Sequence, residues 1–517
     1  MKAGVSSIPS WMHRSGGVLL HPTSLPGPYG IGDLGPAVDG WIAWMASAGC
    51  RLWQVLPLGP TGYGDSPYQS LSAFAGNPLL ISPERLADDG LLRPKDLEDL
   101  PAMPDDRVDF GAVISVRDRL LRTAFDRYRS GEGSQLRDGF EAFRRDKGDW
   151  LDDFALFMAL KREHGGAPWT EWDHSLSARQ PEALERAHEA LADAIEEQRF
   201  RQFLFFRQWS AVRAEAQRQA ITLIGDIPIF VAHDSADVWS HPELFWLDES
   251  GRPSVVAGVP PDYFSPTGQL WGNPLYRWEA LQSSGYEWWI RRFRLVLEMV
   301  DIVRLDHFRG FEAYWEVPGD APTAETGRWV PGPGAAFLDA TQAALGSLPI
   351  LAEDLGVITP GVVALRERYA LPGMKILQFA FEGEPEHDFL PHNYPDRCVV
   401  YTGTHDNDTA LGWYQSAGEE ERDFCRRYLA SDGAQIAWDM IRACWASVAQ
   451  WAVVPLQDIL NLGAEARMNY PSRAEGNWWW RFQEGQLSDE LAARWKALSF
   501  LYGRLPADEV PADRLED

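Results

Sequence analysis

The chain has 517 residues, 45% of them hydrophobic and 24% charged, enough apolar content to bury a large core and too much for global disorder. Its formal net charge of −27 excludes the basic footprint of a nucleic-acid or anionic-membrane binder, so the expected partner is neutral. Cys50, Cys398, Cys425 and Cys444 have neither disulfide-framework nor metal-ligand spacing, which fits a reducing compartment.

From the N-terminus, MKAGVSSIPSWMHRSGG lacks an apolar signal core, and no later run reaches membrane-span length, so a cytoplasmic protein is expected. Short apolar runs then recur: GGVLLHP (16–22), RLWQVLPLGP (51–60), ITLIGDIPIF (221–230), DIVRLDHF (301–308), PILAEDLG (349–356), MKILQFAF (374–381), CVVYTGTHD (398–406) and WAVVPLQDIL (451–460). Their near-continuous hydrophobicity predicts strands buried on both faces, as in a parallel sheet. Helix-like segments separate the later runs, such as AAFLDATQAALGS (335–347) and TPGVVALRERYAL (359–371), the latter with Thr359 as N-cap and Pro360 at the first helical position. Eight βα units predict a (β/α)8 TIM barrel. An open doubly wound sheet is the structural alternative, but the first strand turn carries no glycine-rich dinucleotide fingerprint.

Residues 61–220 are too many for one crossover. Leu184, Ala187, Leu191 and Ile195 repeat at helical spacing, so a mainly helical inserted subdomain is expected there. A loop subdomain is expected over about 231–300, with an aromatic substrate-binding loop at 257–276. Residues 461–517 are too few for a C-terminal β-sandwich of about 100 residues, so 1–517 reads as one catalytic barrel with insertions. The 24 tryptophans serve a large core in part, yet several sit in loop-like stretches such as PDYFSPTGQLWGNP (261–274), where rigid aromatics suit stacking on a flat neutral ligand.

Three strand-like runs end in carboxylates: Asp306 after the fourth, Glu353 and Asp354 after the fifth, and Asp406 after the seventh. Singly, an Asp at a strand end is more often a helix cap or turn residue than a catalyst. In a parallel barrel, however, the C-terminal strand ends converge on one face. Arg304 and Asp306 are two apart and share a strand face, which gives the Asp306 carboxylate a counter-ion. Glu353 and Asp354 are neighbours that point to opposite strand faces, and whichever of them faces the other carboxylates is pushed toward its protonated form. One ionised and one protonated carboxyl are the equipment of a retaining glycosidase. Asp406, flanked by His405 and Asn407, is a third group suited to sugar hydroxyls. Arg309 is expected to anchor a loop through an ion pair, and Trp478, Trp479 and Trp480, being consecutive, to be mostly packing.

The stretches RLDHFRGFEAYWEVP (304–318), ILAEDLG (350–356) and YTGTHDNDT (401–409) resemble the catalytic motifs of the amylomaltases, the 4-α-glucanotransferases or disproportionating enzymes of glycoside hydrolase family 77 in the α-amylase superfamily. The likeness extends to HPTSLPGPYGIGDLG (21–35), GPTGYGDSPYQSLSAFAGNP (59–78), GDIPIFV (225–231), PPDYFSPTGQLWGNPLY (260–276) and ARMNYP (466–471), and is sparse in the helical insertion. The resemblance implies that Asp306 is the nucleophile, Glu353 the general acid/base and Asp406 the transition-state stabiliser. It places Arg304, His307, His405 and Asp226 around the cleavage subsite, and Ser66, Tyr68, Tyr263, Phe264, Trp271 and Asn273 at glucan-contacting positions. Tyr63 matches a secondary glucan site in some members. It also implies an α-1,4-glucan (maltooligosaccharide, starch or glycogen) as donor and acceptor and no metal or other cofactor. A monomer or weak homo-oligomer is expected.

Transfer and hydrolysis begin alike, with attack by Asp306 and protonation by Glu353, and differ in whether a sugar hydroxyl or water accepts the glycosyl group. The expected activity is α-1,4-glucan transfer. A hydrolase using the same residues is the runner-up, and a non-catalytic glucan-binding protein is the alternative of another class.

Overall fold

The computed structural model describes residues 11–261, 265–471, 473 and 475–505. Each of the eight apolar runs supplies a barrel strand: β1 (Ser15–Leu19), β2 (Leu52–Gln54), β3 (Thr222–Ile227), β6 (Ile302–Leu305), β9 (Ile350–Ala352), β10 (Gly373–Ile376), β11 (Cys398–Tyr401) and β12 (Trp451–Pro455). They pair in parallel in the order β10-β11-β12-β1-β2-β3-β6-β9. At the remaining seam, the Ala352 N–H reaches the Pro372 carbonyl over 2.9 Å. The expected (β/α)8 barrel is thus present and all but closed.

Side chains on these strands alternate between two apolar regions, because successive residues of a strand face opposite ways. Leu19, Leu52, Ile224, Ile302, Leu351, Val399 and Val453 pack together in one cluster. Their neighbours Val18, Trp53, Leu223, Val303, Ile350, Val400 and Val454 pack in the other, larger one. Burial on both faces is why the strands read as unbroken apolar runs. The helices between them behave as their caps predict: helix Pro360–Arg368 opens with the Thr359 hydroxyl accepting the Val362 N–H.

Within 61–220, the long helices are α1 (Phe110–Arg129), α2 (Arg137–Glu163) and α3 (Ala192–Arg218). They meet at Glu197, which is fully buried. Arg122 and Arg162 reach its carboxylate at 2.7 and 2.9 Å, and Arg201, one turn on, also pairs with it. Burial pushes this carboxyl up, but the three guanidiniums outweigh it and hold Glu197 below the usual range.

The barrel motif gives no sign of a second sheet. It consists of β4 (Val255–Val259), β5 (Gln269–Pro274), β7 (Ala313–Pro318) and β8 (Arg328–Pro331), antiparallel in the order β5-β4-β7-β8. Half of it comes from the expected loop subdomain and half from the crossover after β6. Among the described residues, no helix is long and apolar enough to cross a membrane.

Candidate active site

Asp306 and Glu353 leave adjacent strands at the same level, since Leu305 is in register with Ala352. The chain turns sharply there. His307 adopts a left-handed φ of 49°, a conformation a non-glycine residue holds only when its surroundings impose it. The turn aims the His307 N–H at Glu353 Oε2, 2.7 Å away, while the Leu355 N–H reaches Oε1 at 2.8 Å. Both bonds favour the carboxylate. Burial and then the Asp306 charge outweigh them, pushing Glu353 up to about 8.

Asp354 points the other way, as strand alternation requires. It accepts the Met374 N–H at 2.7 Å and pairs with Arg366 of the following helix. This geometry leaves Glu353 alone of the pair in the site.

Arg304 is buried between two carboxylates. Its Nη1 donates to Asp226 Oδ2 at 2.7 Å and its Nη2 lies 2.9 Å from Asp306 Oδ1. Asp226, at the end of β3, also accepts the Tyr68 hydroxyl at 2.8 Å. Burial drives Asp226 upward, opposed by Arg304 and reinforced by Asp306, to about 7. Tyr68 stacks on His405 with ring centroids 4.9 Å apart, and Trp478 lies within 5.9 Å of the one and 6.0 Å of the other.

Asp406 follows β11. Asn469 donates to its Oδ1 at 2.6 Å, Arg467 donates to its backbone carbonyl at 2.6 Å, and His405 Nε2 is 3.4 Å from Oδ1. Beside it opens a small hollow whose lining includes His21, Thr404, His405, Asn407, Arg467 and Trp480. Three histidines around the site are held neutral by burial: His307 is pushed down to about 4, His21 to about 3, and His405 below its ordinary value. Among the described residues, no group of three or more His, Cys, Asp or Glu is disposed to hold a metal ion.

The substrate-facing expectations divide. Trp271, on β5, meets the His307 ring edge-on at 4.8 Å, so the second sheet reaches the carboxylates. Ser66 accepts the Tyr68 N–H at 3.2 Å. Asn273 is buried, with its amide donating to the Val231 carbonyl at 2.9 Å and accepting from Gln69 at 3.3 Å. Its side chain thus braces the loops rather than facing open space. Tyr63 is 78% exposed. Tyr263 and Phe264 lie outside the described residues.

One expectation is corrected. Arg309 anchors a loop, but among the described residues it does so by donating to the Val357 carbonyl and lying 3.7 Å over the Trp329 ring, not through an ion pair. Trp478 is packing, yet packing directly behind Tyr68 and His405. Arg467, Asn469 and His21 were missed as individual residues, although ARMNYP and HPTSLPG carried them.

A family model described as 4-alpha-glucanotransferase matches residues 20–488. The chain is similar to a 4-alpha-glucanotransferase of Thermus thermophilus, 55% identical and covering 95% of this chain and 99% of that protein. It is also similar to one of Synechocystis sp., 50% identical over 95% of this chain and 98% of the relative. The solved amylomaltase of Streptococcus agalactiae in complex with acarbose superposes with a TM-score of 0.93 at 36% identity, over 95% of this chain and 100% of that one.

Proposed function

This chain belongs to the glycoside hydrolase 77 family of 4-alpha-glucanotransferases, and on that premise we propose how its carboxyl groups divide the reaction. The activity is transfer of α-1,4-glucan segments between maltooligosaccharides or starch-type glucans. The observation that carries our assignment is the opposite setting of two neighbouring carboxyls: Asp306 lies 2.9 Å from the Arg304 guanidinium, whereas buried Glu353 is pushed up to about 8.

Asp306 attacks the anomeric carbon as Glu353 gives its proton to the departing glycosidic oxygen, leaving a glycosyl ester on Asp306. Burial remains, but esterification removes the Asp306 charge that added to the rise of Glu353, so its pKa falls and it becomes the base for the second step. The 4-hydroxyl of an acceptor glucan then loses its proton to Glu353 as its oxygen displaces Asp306. Both carboxyls return to their starting states, with retention at the anomeric carbon. Asp406 hydrogen-bonds the sugar hydroxyls as positive charge builds on the ring, and Trp271 and Tyr68 offer the aromatic faces that hold the glucan while excluding water.

Replacing Glu353 by alanine tests the assignment. Glutamine is the poorer probe, because its amide nitrogen would face one of the two backbone N–H groups on that carboxyl. Glu353→Ala should lower turnover of maltotriose by roughly 10³-fold. It should still be glycosylated by an α-maltosyl fluoride, which needs no acid, and azide should restore its turnover by replacing the acceptor that needs a base. Failure of azide to do so, or a fully active Asp306→Asn variant, would sink the assignment.

A further inference from the structure

Asp458 sits beneath the loop that carries Asp406, in the single helical turn Leu456–Ile459 that continues β12. It is wholly buried. One carboxylate oxygen accepts the Thr402 hydroxyl, and the other accepts the Ala410 N–H at 2.7 Å. Thr402 is the first residue after β11, and Ala410 is the first of helix Ala410–Ser416. One side chain therefore holds both ends of the segment whose middle carries His405 and Asp406.

The segment is braced from within as well. Asn407 Oδ1 accepts both the N–H and the hydroxyl of Thr404 at 2.9 Å, and Gln378 donates to the Asp408 carbonyl at 2.8 Å. The neighbouring Gln457 donates to the Ala466 carbonyl at 3.2 Å, steadying the stretch from which Arg467 and Asn469 reach Asp406. The turn after β12 thus grips both chain segments that set Asp406. Structural economy does not explain a carboxylate there. Among the described residues its hydrogen bonds come from one hydroxyl and one backbone N–H, and Asp408, whose charge acts on it, is of like sign. A buried, unpaired carboxyl is destabilising, and such a group is retained where geometry is worth more than stability.

We propose that Asp458 is a positioning residue for the glycosyl transfer, fixing Asp406 against the sugar by clamping residues 402 and 410. The proposal rests on the transition-state role assigned to Asp406. Displacing a group by about 1 Å can slow a reaction by about 10²-fold without weakening ground-state binding. Asp458→Ala should therefore lower kcat per folded molecule by about 10–100-fold on maltosyl fluoride with maltose as acceptor, with KM within about twofold. Asp458→Asn should recover most of the loss, because its amide oxygen can take the Ala410 N–H while its nitrogen donates to Thr402. Should the alanine variant fail to fold, Thr402→Val removes the hydroxyl alone and should lower kcat about tenfold, with Thr402→Ser restoring it.

Coupling separates positioning from bulk stability. In an Asp406→Asn background, Asp458→Ala and Thr402→Val should cost nothing further in kcat. Losses that multiply with that of Asp406→Asn would overturn the proposal, as would Asp458→Ala or Thr402→Val variants whose kcat per folded molecule equals wild type. A fully active Asp406→Asn variant would instead overturn the role given to Asp406, and the proposal with it.

Discussion

Deprotonation of Glu353 removes the proton that the leaving oxygen requires. With its carboxyl near 8, kcat/KM for maltotriose should decline as pH rises through about 8, and the alkaline limb should vanish for a glycosyl fluoride donor. The same group bears on stability. Its folded pKa lies above the ordinary 4.5, so the folded state holds a proton that the unfolded state releases. Stability from this group is full below about 4.5 and is lost as pH rises toward 8. Part of that loss is due to Asp306. Between pH 5 and 8, the melting temperature of Asp306→Asn should therefore fall less steeply than that of wild type, and parallel curves in calorimetry would refute the coupling. The sequence shows which carboxyls end strands and that Arg304 shares a face with Asp306. It does not show that two backbone N–H groups hold Glu353, because that depends on the left-handed turn at His307, a non-glycine residue with no sequence signature for it.

At the scale of elements, the eight barrel strands were legible because each is buried on both faces and so reads as an unbroken apolar run. The antiparallel sheet was not. Its strands carry glycine, proline and alternating exposure, as in QLWGNP of β5, and two of them lie beyond β6, away from the segment where extra structure was sought. Within 61–220 the one helical period read, Leu184 to Ile195, runs across the break at Leu191 between two helices, and the tie among the long helices was not legible. Glu197 looks like one more surface charge until α1, α2 and α3 bring three arginines around it. Removing the carboxylate leaves the buried Arg201 guanidinium facing Arg122 and Arg162, which are partly exposed to water. Glu197→Ala should destabilise the protein by about 1–3 kcal/mol, read as a lowered denaturation midpoint, with kcat per folded molecule unchanged. A loss below about 1 kcal/mol would show that the arginines find other partners.

At the scale of the whole molecule, two arginines from opposite ends of the sequence close the barrel. Arg504, fully buried, donates to the carbonyls of Ser15, Trp445 and Ala449 at 3.0, 3.0 and 2.9 Å. Arg14 donates to those of Trp445, Ser447 and Ala449 at 3.0, 3.0 and 3.1 Å. No carboxylate takes part in these bonds. Burial first, and then Arg14, lower Arg504 to about 9. Each carbonyl stripped of its donor in such a site costs about 1–3 kcal/mol, so Arg504→Ala should lower the melting temperature markedly. An unchanged melting temperature would mean that Arg14 suffices. All four cysteines are buried, and a thiol reagent should find them only after unfolding.

The pairing that these arginines lock joins Ser15 of β1 to Trp451 of β12. During synthesis, β1 leaves the ribosome well before β12 and waits for every strand between them. Until β12 arrives, its open edge can pair with any passing strand, and contacts so distant in sequence form slowly. The nascent protein therefore carries a long-lived open strand edge, and its yield in the cell should depend on chaperones that shield that edge far more than the stability of the finished barrel would suggest.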